Sequence, residues 1–161
     1  PHVSPGLYTV KISVGNESHT QTVRVNGDPK LKLRTGDYRQ RENFLLELYA
    51  LHKAAFTMNR LLKEEIKESS KIMDKGDRKL INLKAQQKKV SSISSGAMRL
   101  AREFQGGGVR QGSFFPPTDA HKDKFSKLNS PSSKIEIASS ISLILLIPVE
   151  RIVGLLILAI L

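Results

Sequence analysis

The chain has 161 residues, with 26 Lys and Arg against 15 Asp and Glu, which gives a formal net charge of +11. It contains no cysteine, which excludes disulfide frameworks, thiolate metal sites and thiol nucleophiles. The charge favours nucleic acid, anionic lipid or an acidic polymer as partner, but no stretch alternates aromatic with basic residues as a single-strand stacking platform does.

The first predicted element is a β-hairpin over residues 7–25. Alternation of apolar and polar residues is typical of a half-buried strand. Four side chains form the apolar face of the first strand: Tyr8, Val10, Ile12 and Val14. Gly15 and Asn16 tolerate positive φ and predict the turn, and the β-branched residues of 20–25 predict the second strand.

Two strands by themselves are marginal in water, because nothing covers their apolar face. We therefore expect residues 1–28 to be the end of an incomplete Ig-like β-sandwich. The chain also begins at Pro1, with neither an initiator Met nor a signal peptide. Both observations favour the carboxyl-terminal piece of a larger protein.

Residues 35–128 show a helical period instead. Asp37 and Gln40 resemble a capping box at the start of the first helix. Its apolar stripe, at steps of three and four, is Phe44, Leu48, Leu51, Ala55, Met58 and Leu62. Gly76 then predicts a stop, and Asp77 a cap for a second helix. The stripe of that helix is Leu83, Val90, Ile93, Ala97, Leu100 and Phe104. Two such stripes joined by a short turn predict a long antiparallel helical hairpin.

The second helix is expected to end at the glycines 106–108. A loop over 109–117 follows, and Thr118 is well placed to cap a short third helix. That helix runs to Leu128, with Phe125 facing the helical hairpin.

Two compositionally distinct regions complete the chain. Residues 129–140 are rich in Ser and contain Pro, which predicts a linker. Residues 141–161 are apolar over about the length of a bilayer span. Pro148, Glu150 and Arg151 lie near the centre of this region and oppose insertion. A membrane segment, an interfacial anchor and a buried or aberrant chain end all stay open.

No catalytic constellation is predicted. The four histidines lie in different local settings: His2, His19, His52 and His121. No two of them have the four-residue spacing that lets a helix bind a metal. Three glutamates lie among lysines on one exposed face: Glu64, Glu65 and Glu68. The glycine-rich residues 106–113 lack the Lys of a phosphate-binding loop. We therefore expect no catalytic, cofactor-binding or metal-binding residues and no enzyme.

Three stretches carry a family resemblance. Residues 3–14 follow the pattern V-x-P-G-x-Y-T-V-x-L-x-V. Residues 20–30 follow T-Q-x-x-x-V-x-x-D-P-R, with Lys30 in place of the Arg, and residues 110–118 contain G-S-x-x-P-P-T. In this order they resemble the carboxyl-terminal region of BNR-repeat β-propeller proteins, which are glycosyl-hydrolase-like or sialidase- and sortilin-like.

The resemblance implies that the propellers and any catalytic groups lie upstream and that the protein is secreted, periplasmic or on the cell surface. We expect an α+β fold: the last β-hairpin of an Ig-like sandwich, then a long antiparallel helical hairpin with a short third helix. This end would be a non-catalytic structural or interaction module. Its partners would be the upstream propeller, another protein or a second copy.

An alternative is a membrane-anchored module whose basic helices lie on anionic lipid, held there by residues 141–161. A third interpretation, which we favour less than the other two, is binding of nucleic acid by the basic helical hairpin.

Overall fold

The computed structural model describes residues 3–107 and 110–145 and has an α+β fold. A β-hairpin comes first and long helices follow. The elements in chain order are β1 (Gly6–Val14), β2 (Glu17–Val25), α1 (Thr35–Ile72), α2 (Arg78–Gln105), β3 (Gly106–Gly107), β4 (Arg110–Gln111), α3 (Asp119–Leu128) and α4 (Pro131–Leu145).

The predicted β-hairpin is confirmed. Strands β1 and β2 pair antiparallel from Gly6 opposite Val25 to Val14 opposite Glu17. Gly15 has a φ of 58°, which a residue without Cβ adopts at little cost. The Ig-like sandwich is not confirmed, because the described strands form two separate two-stranded sheets, β1-β2 and β3-β4.

The predicted helical hairpin is also confirmed. Helices α1 and α2 pack against each other, and every residue of the two predicted stripes is buried. Phe44 and Phe104 meet in this core with their ring centroids 5.4 Å apart, and Phe125 of α3 packs on Phe44 at 5.5 Å. Burial of these stripes supplies the main favourable free energy of the fold.

Side chains cap the helices where the chain changes direction. Asp77 accepts a hydrogen bond from the Lys79 N–H at 2.7 Å, which confirms the predicted cap of α2. Helix α1 begins at Thr35, two residues before the predicted start at Asp37. Asp37 lies in its first turn and accepts from the Arg34 N–H at 2.8 Å. This hydrogen bond lowers the pKa of the Asp37 carboxyl.

The predicted linker over 129–140 is instead mostly helical, since α4 begins at Pro131. Proline suits the first position of a helix, where its missing N–H is not needed. The Ser130 hydroxyl accepts from the Ser133 N–H at 3.2 Å, and Ile137 and Ala138 are buried. Packing against α1 and α2 therefore outweighs the Ser-rich composition.

The predicted apolar region 141–161 is described only as far as Leu145, where α4 ends. Residues 146–161 lie outside the described residues. None of the described helices combines the length and the hydropathy that a membrane crossing requires.

Candidate interaction surfaces

The face of the β-hairpin that carries the predicted apolar residues is exposed. Directly paired residues of antiparallel strands share a face. Val23 of β2 lies opposite Tyr8 on this face, and Gln21, His19 and Glu17 lie opposite Val10, Ile12 and Val14. The exposed fractions are 45% for Val10, 64% for Ile12, 77% for Val14 and 42% for Val23. No other element of the described residues covers these four aliphatic side chains.

The root of the hairpin, in contrast, is attached to α1. The Tyr8 hydroxyl donates to the Ser4 carbonyl at 2.6 Å. Ser4 is buried and its N–H donates to Glu42 of α1 at 3.3 Å; its hydroxyl contacts the same carboxylate. Gly27 lies so close to Tyr38 that a Cβ would stand 3.0 Å from the Tyr38 hydroxyl oxygen. Within the described part of the chain, the hairpin is therefore held at one end, and residues 9–24 along the rest of its length are exposed.

A cavity of about 250 Å³ lies between the hairpin root, α1 and the loop before α3. Arg41 lines it and is only 4% exposed. Its guanidinium donates to the carbonyl oxygens of Phe104 at 2.9 Å and Ser113 at 2.8 Å, and it lies 5.5 Å from the centroid of the Phe114 ring. Burial lowers the pKa of Arg41. The negative end of the α2 dipole faces this cation and offsets part of the burial cost. Arg41 thus serves as a link between elements.

Thr118, His121 and Glu103 form a chain of hydroxyl, imidazole and carboxylate. The Thr118 hydroxyl lies 2.8 Å from His121 Nδ1, and His121 Nε2 lies 3.1 Å from Glu103. The same groups form a capping box: the Thr118 N–H donates to Nδ1 at 3.0 Å, and the Thr118 hydroxyl accepts from the His121 N–H at 3.4 Å. The predicted cap of α3 is thereby confirmed. We assign the three residues to the attachment of α3 to α2.

The remaining histidines and the predicted carboxylates take part in no common site. His2 lies outside the described residues, His19 is exposed on the hairpin, and His52 contacts the Ser94 carbonyl at 3.2 Å. Glu68 pairs with Lys71. Among the described residues, no three His, Asp or Glu side chains are grouped as metal ligands.

The outward face of α1 shows an arrangement that linear inspection of the sequence misses. Steps of three and four residues place Leu46, Tyr49, Lys53, Phe56 and Arg60 on one line along the helix. Tyr49 and Phe56 are 59% and 56% exposed. Aromatic and basic residues therefore alternate in space, although they do not alternate in the sequence.

Comparison with protein-family models, curated proteins and solved structures finds no match for the chain. The BNR-repeat resemblance stays a prediction, and function is inferred from the surfaces described above.

Proposed function

We propose that the chain is a non-catalytic structural and interaction module of a secreted or cell-surface BNR-repeat protein. In this proposal the β-hairpin packs its apolar face against a β layer of the upstream part of that protein. The observation that carries the proposal is the row of exposed aliphatic side chains along β1 of an otherwise regular hairpin.

The energetics favour a covered hairpin. A two-stranded hairpin is marginal in water, and contiguous exposed apolar patches mark interaction sites. Covering the exposed parts of Val10, Ile12, Val14 and Val23 would contribute roughly 3–5 kcal/mol. A contribution of that size is comparable to a large part of the stability of a small domain.

The helical part is suited to support such a contact. The hydrogen bonds of Ser4 and Tyr8 fix the hairpin root next to the first turns of α1. The 38 residues of α1 extend for about 57 Å at 1.5 Å per residue. The helices thus provide a stiff body that holds the hairpin at one end.

Hydrogen exchange tests the proposal. The chain is expressed alone and together with the coding sequence that precedes it in its gene. We expect the amides of β1 and β2 to exchange fast in the chain alone and to be protected in the longer protein, because docking covers them. Amides of α2 near the buried Leu100 serve as an internal reference and should not differ.

A pair of substitutions in the longer protein sharpens this experiment. Ile12→Glu places a charge on the apolar face and should restore fast exchange. Lys11→Glu changes a neighbouring residue on the opposite face and should leave the protection intact. Equal exchange of the hairpin in both proteins, or equal effects of the two substitutions, would contradict docking through this face.

The outward face of α1 supports a second candidate function, binding to anionic lipid. Exposed Leu46, Tyr49 and Phe56 beside Lys53 and Arg60 match an interfacial helix face, with apolar side chains for the acyl boundary and cations for the headgroups. This candidate does not depend on residues 141–161.

Flotation with phosphatidylserine vesicles tests this candidate. We expect the double substitution Tyr49→Ser and Phe56→Ser to lower vesicle binding about tenfold, since each aromatic ring contributes apolar area. Ile81→Ser, which removes an exposed apolar side chain of α2, is the matched control. Undiminished binding of the double variant rules the α1 face out.

A further inference from the structure

The positive charge of the helical hairpin is concentrated on one helix. Helix α2 has seven basic residues and one acidic residue, whereas α1 has seven basic and six acidic residues. On the outward face of α2, steps of three and four residues align six side chains into a single line. This basic row consists of Lys84, Lys88, Ser92, Ser95, Arg99 and Arg102, all of which are exposed.

The four cations of the basic row form no ion pair within the described part of the chain. Other lysines of α2 do form ion pairs: Lys79 with Glu65 at 3.5 Å and Lys89 with Glu136 at 2.8 Å. None of the ion pairs among residues 3–107 and 110–145 includes a residue of the row. The four cations of the row are therefore accessible to an anion from another molecule.

The length of the row selects the kind of anion. From Lys84 to Arg102 the row extends for about 27 Å, and its lysine pair lies about 16 Å from its arginine pair along the axis. A small anion cannot contact both pairs. The row therefore suits a polymer with repeated negative charges.

The side chains between the two cation pairs distinguish a phosphate polymer from a lipid surface. Ser92 and Ser95 separate the pairs, so the centre of the row has hydroxyl side chains and no apolar side chain for a bilayer. The Ser95 hydroxyl donates to the Ser91 carbonyl at 2.8 Å, which leaves Ser92 as the hydroxyl donor for a phosphate. Hydroxyl, ammonium and guanidinium groups are the side-chain donors that contact phosphate oxygens in protein–nucleic acid complexes. The row contains no aromatic residue on which a base could stack.

We propose that the basic row on α2 binds the sugar–phosphate backbone of a nucleic acid without reading its sequence. This proposal is independent of the docking of the β-hairpin, which lies on other elements. Affinity would depend mainly on counterion release and so fall steeply with added salt.

Fluorescence anisotropy with the full chain and a labelled duplex DNA of about 30 base pairs, at about 50 to 200 mM salt, tests the proposal. The row variant is K84Q/K88Q/R99Q/R102Q. The control variant, R39Q/K63Q/K67Q/K71Q on α1, removes the same number of positive charges from exposed residues outside the face of Tyr49 and Phe56. Circular dichroism of both variants verifies that the helices form.

We expect the row variant to bind at least a hundredfold more weakly at the lowest salt, with a log–log salt slope smaller by about 3.6, or 0.9 per lost cation. The control variant should keep nearly the full slope. Equal losses in both variants would assign binding to net charge and overturn the proposal. So would equal competition by polyglutamate, or vesicle binding through the row without DNA binding.

Discussion

The guanidinium of Arg41, in the second turn of α1, donates from Nη2 to the carbonyl oxygen of Phe104 in the last turn of α2 at 2.9 Å. Carbonyl groups in the last turn of a helix have no intrahelical donor. Arg41 supplies such a donor, and its Nε donates a second hydrogen bond to the Ser113 carbonyl in the following loop at 2.8 Å. One buried side chain thus joins the start of α1, the end of α2 and the loop before α3.

Substitution of this side chain should be costly. We expect Arg41→Leu to lower the free energy of unfolding by about 3 kcal/mol, because two carbonyl groups lose their buried donor. Arg41→Lys should lose less of the free energy of unfolding than Arg41→Leu but should not match Arg41, since an ammonium cannot reproduce the planar fork of the guanidinium. Urea denaturation measures both changes. The exposed Arg39 gives the control, and Arg39→Leu should be nearly neutral; similar values for the two Leu variants would refute a linking role for Arg41.

Gly112 should tolerate no side chain. A Cβ at this position would overlap the Phe104 carbonyl oxygen and lie 2.6 Å from the Gly106 nitrogen. Both neighbours are backbone atoms, so relief requires movement of the loop. We expect Gly112→Ala to cost about 3 kcal/mol. Gly36→Ala, in the first turn of α1 with nothing within 4 Å of the added Cβ, should instead stabilise by about 0.5–1 kcal/mol. Thermal unfolding of both variants distinguishes these opposite signs.

Truncation of an aliphatic side chain should have different consequences in the hairpin and in the helices. Leu48 is 0% exposed and Ile12 is 64% exposed. In the chain alone we expect Leu48→Ala to cost about 2–5 kcal/mol and Ile12→Ala to cost less than about 0.5 kcal/mol. Chemical denaturation followed by the helical circular dichroism signal provides the measurement. A large loss for Ile12→Ala would mean that this chain itself buries the hairpin face.

Stability should depend on pH through Glu103. Its hydrogen bond from Lys124 and the charges of Lys124 and His121 lower the pKa of this carboxyl below its ordinary value of 4.5. A carboxylate with a lowered folded pKa stabilises the fold above its unfolded pKa, and this contribution is lost as the pH falls through the folded pKa. Glu103→Gln should therefore reduce the melting temperature at about pH 7, and by less at about pH 3.

Asp123→Asn is the control for this pH dependence, because Asp123 lies in α3 but forms no ion pair among the described residues. The melting temperature of Asp123→Asn should differ little from that of the unsubstituted chain at both pH values. If Glu103→Gln lowered the melting temperature as much at about pH 3 as at about pH 7, the ion pairs of Glu103 would be excluded as the cause.

Local pattern predicts much of the helical core. The stripes from Phe44 to Leu62 and from Leu83 to Phe104 are buried as expected, because a three- and four-residue period can only face one side of a helix. Arg41 lies on the continuation of the first stripe, three residues before Phe44. Its charge hides it from a search for apolar periodicity. Its burial depends on carbonyl groups that come from a distant part of the chain.

Composition is a poorer guide where packing competes with it. The Ser- and Pro-containing residues that begin α4 resemble a linker, yet Ile137 and Ala138 become buried against α1 and α2. Likewise, the alternation of Tyr49, Lys53, Phe56 and Arg60 is visible only once these residues are placed on a helix. Spacing by three and four carries the signal, and a search along adjacent residues does not detect it.

The sequence by itself determined β1, β2, α1, α2 and α3, and the apolar sides of β1, α1 and α2, since these follow from short-range periodicity and turn residues. Only the tertiary structure decided that the helices cover one another while the face of Val10 and Ile12 stays open. It also decided that Lys79 of α2 pairs with Glu65 of α1, whereas Lys84, Lys88, Arg99 and Arg102 form no ion pair within the described residues. The physical reason is that coverage and ion pairing arise from contacts between residues far apart in the chain, which local patterns do not encode.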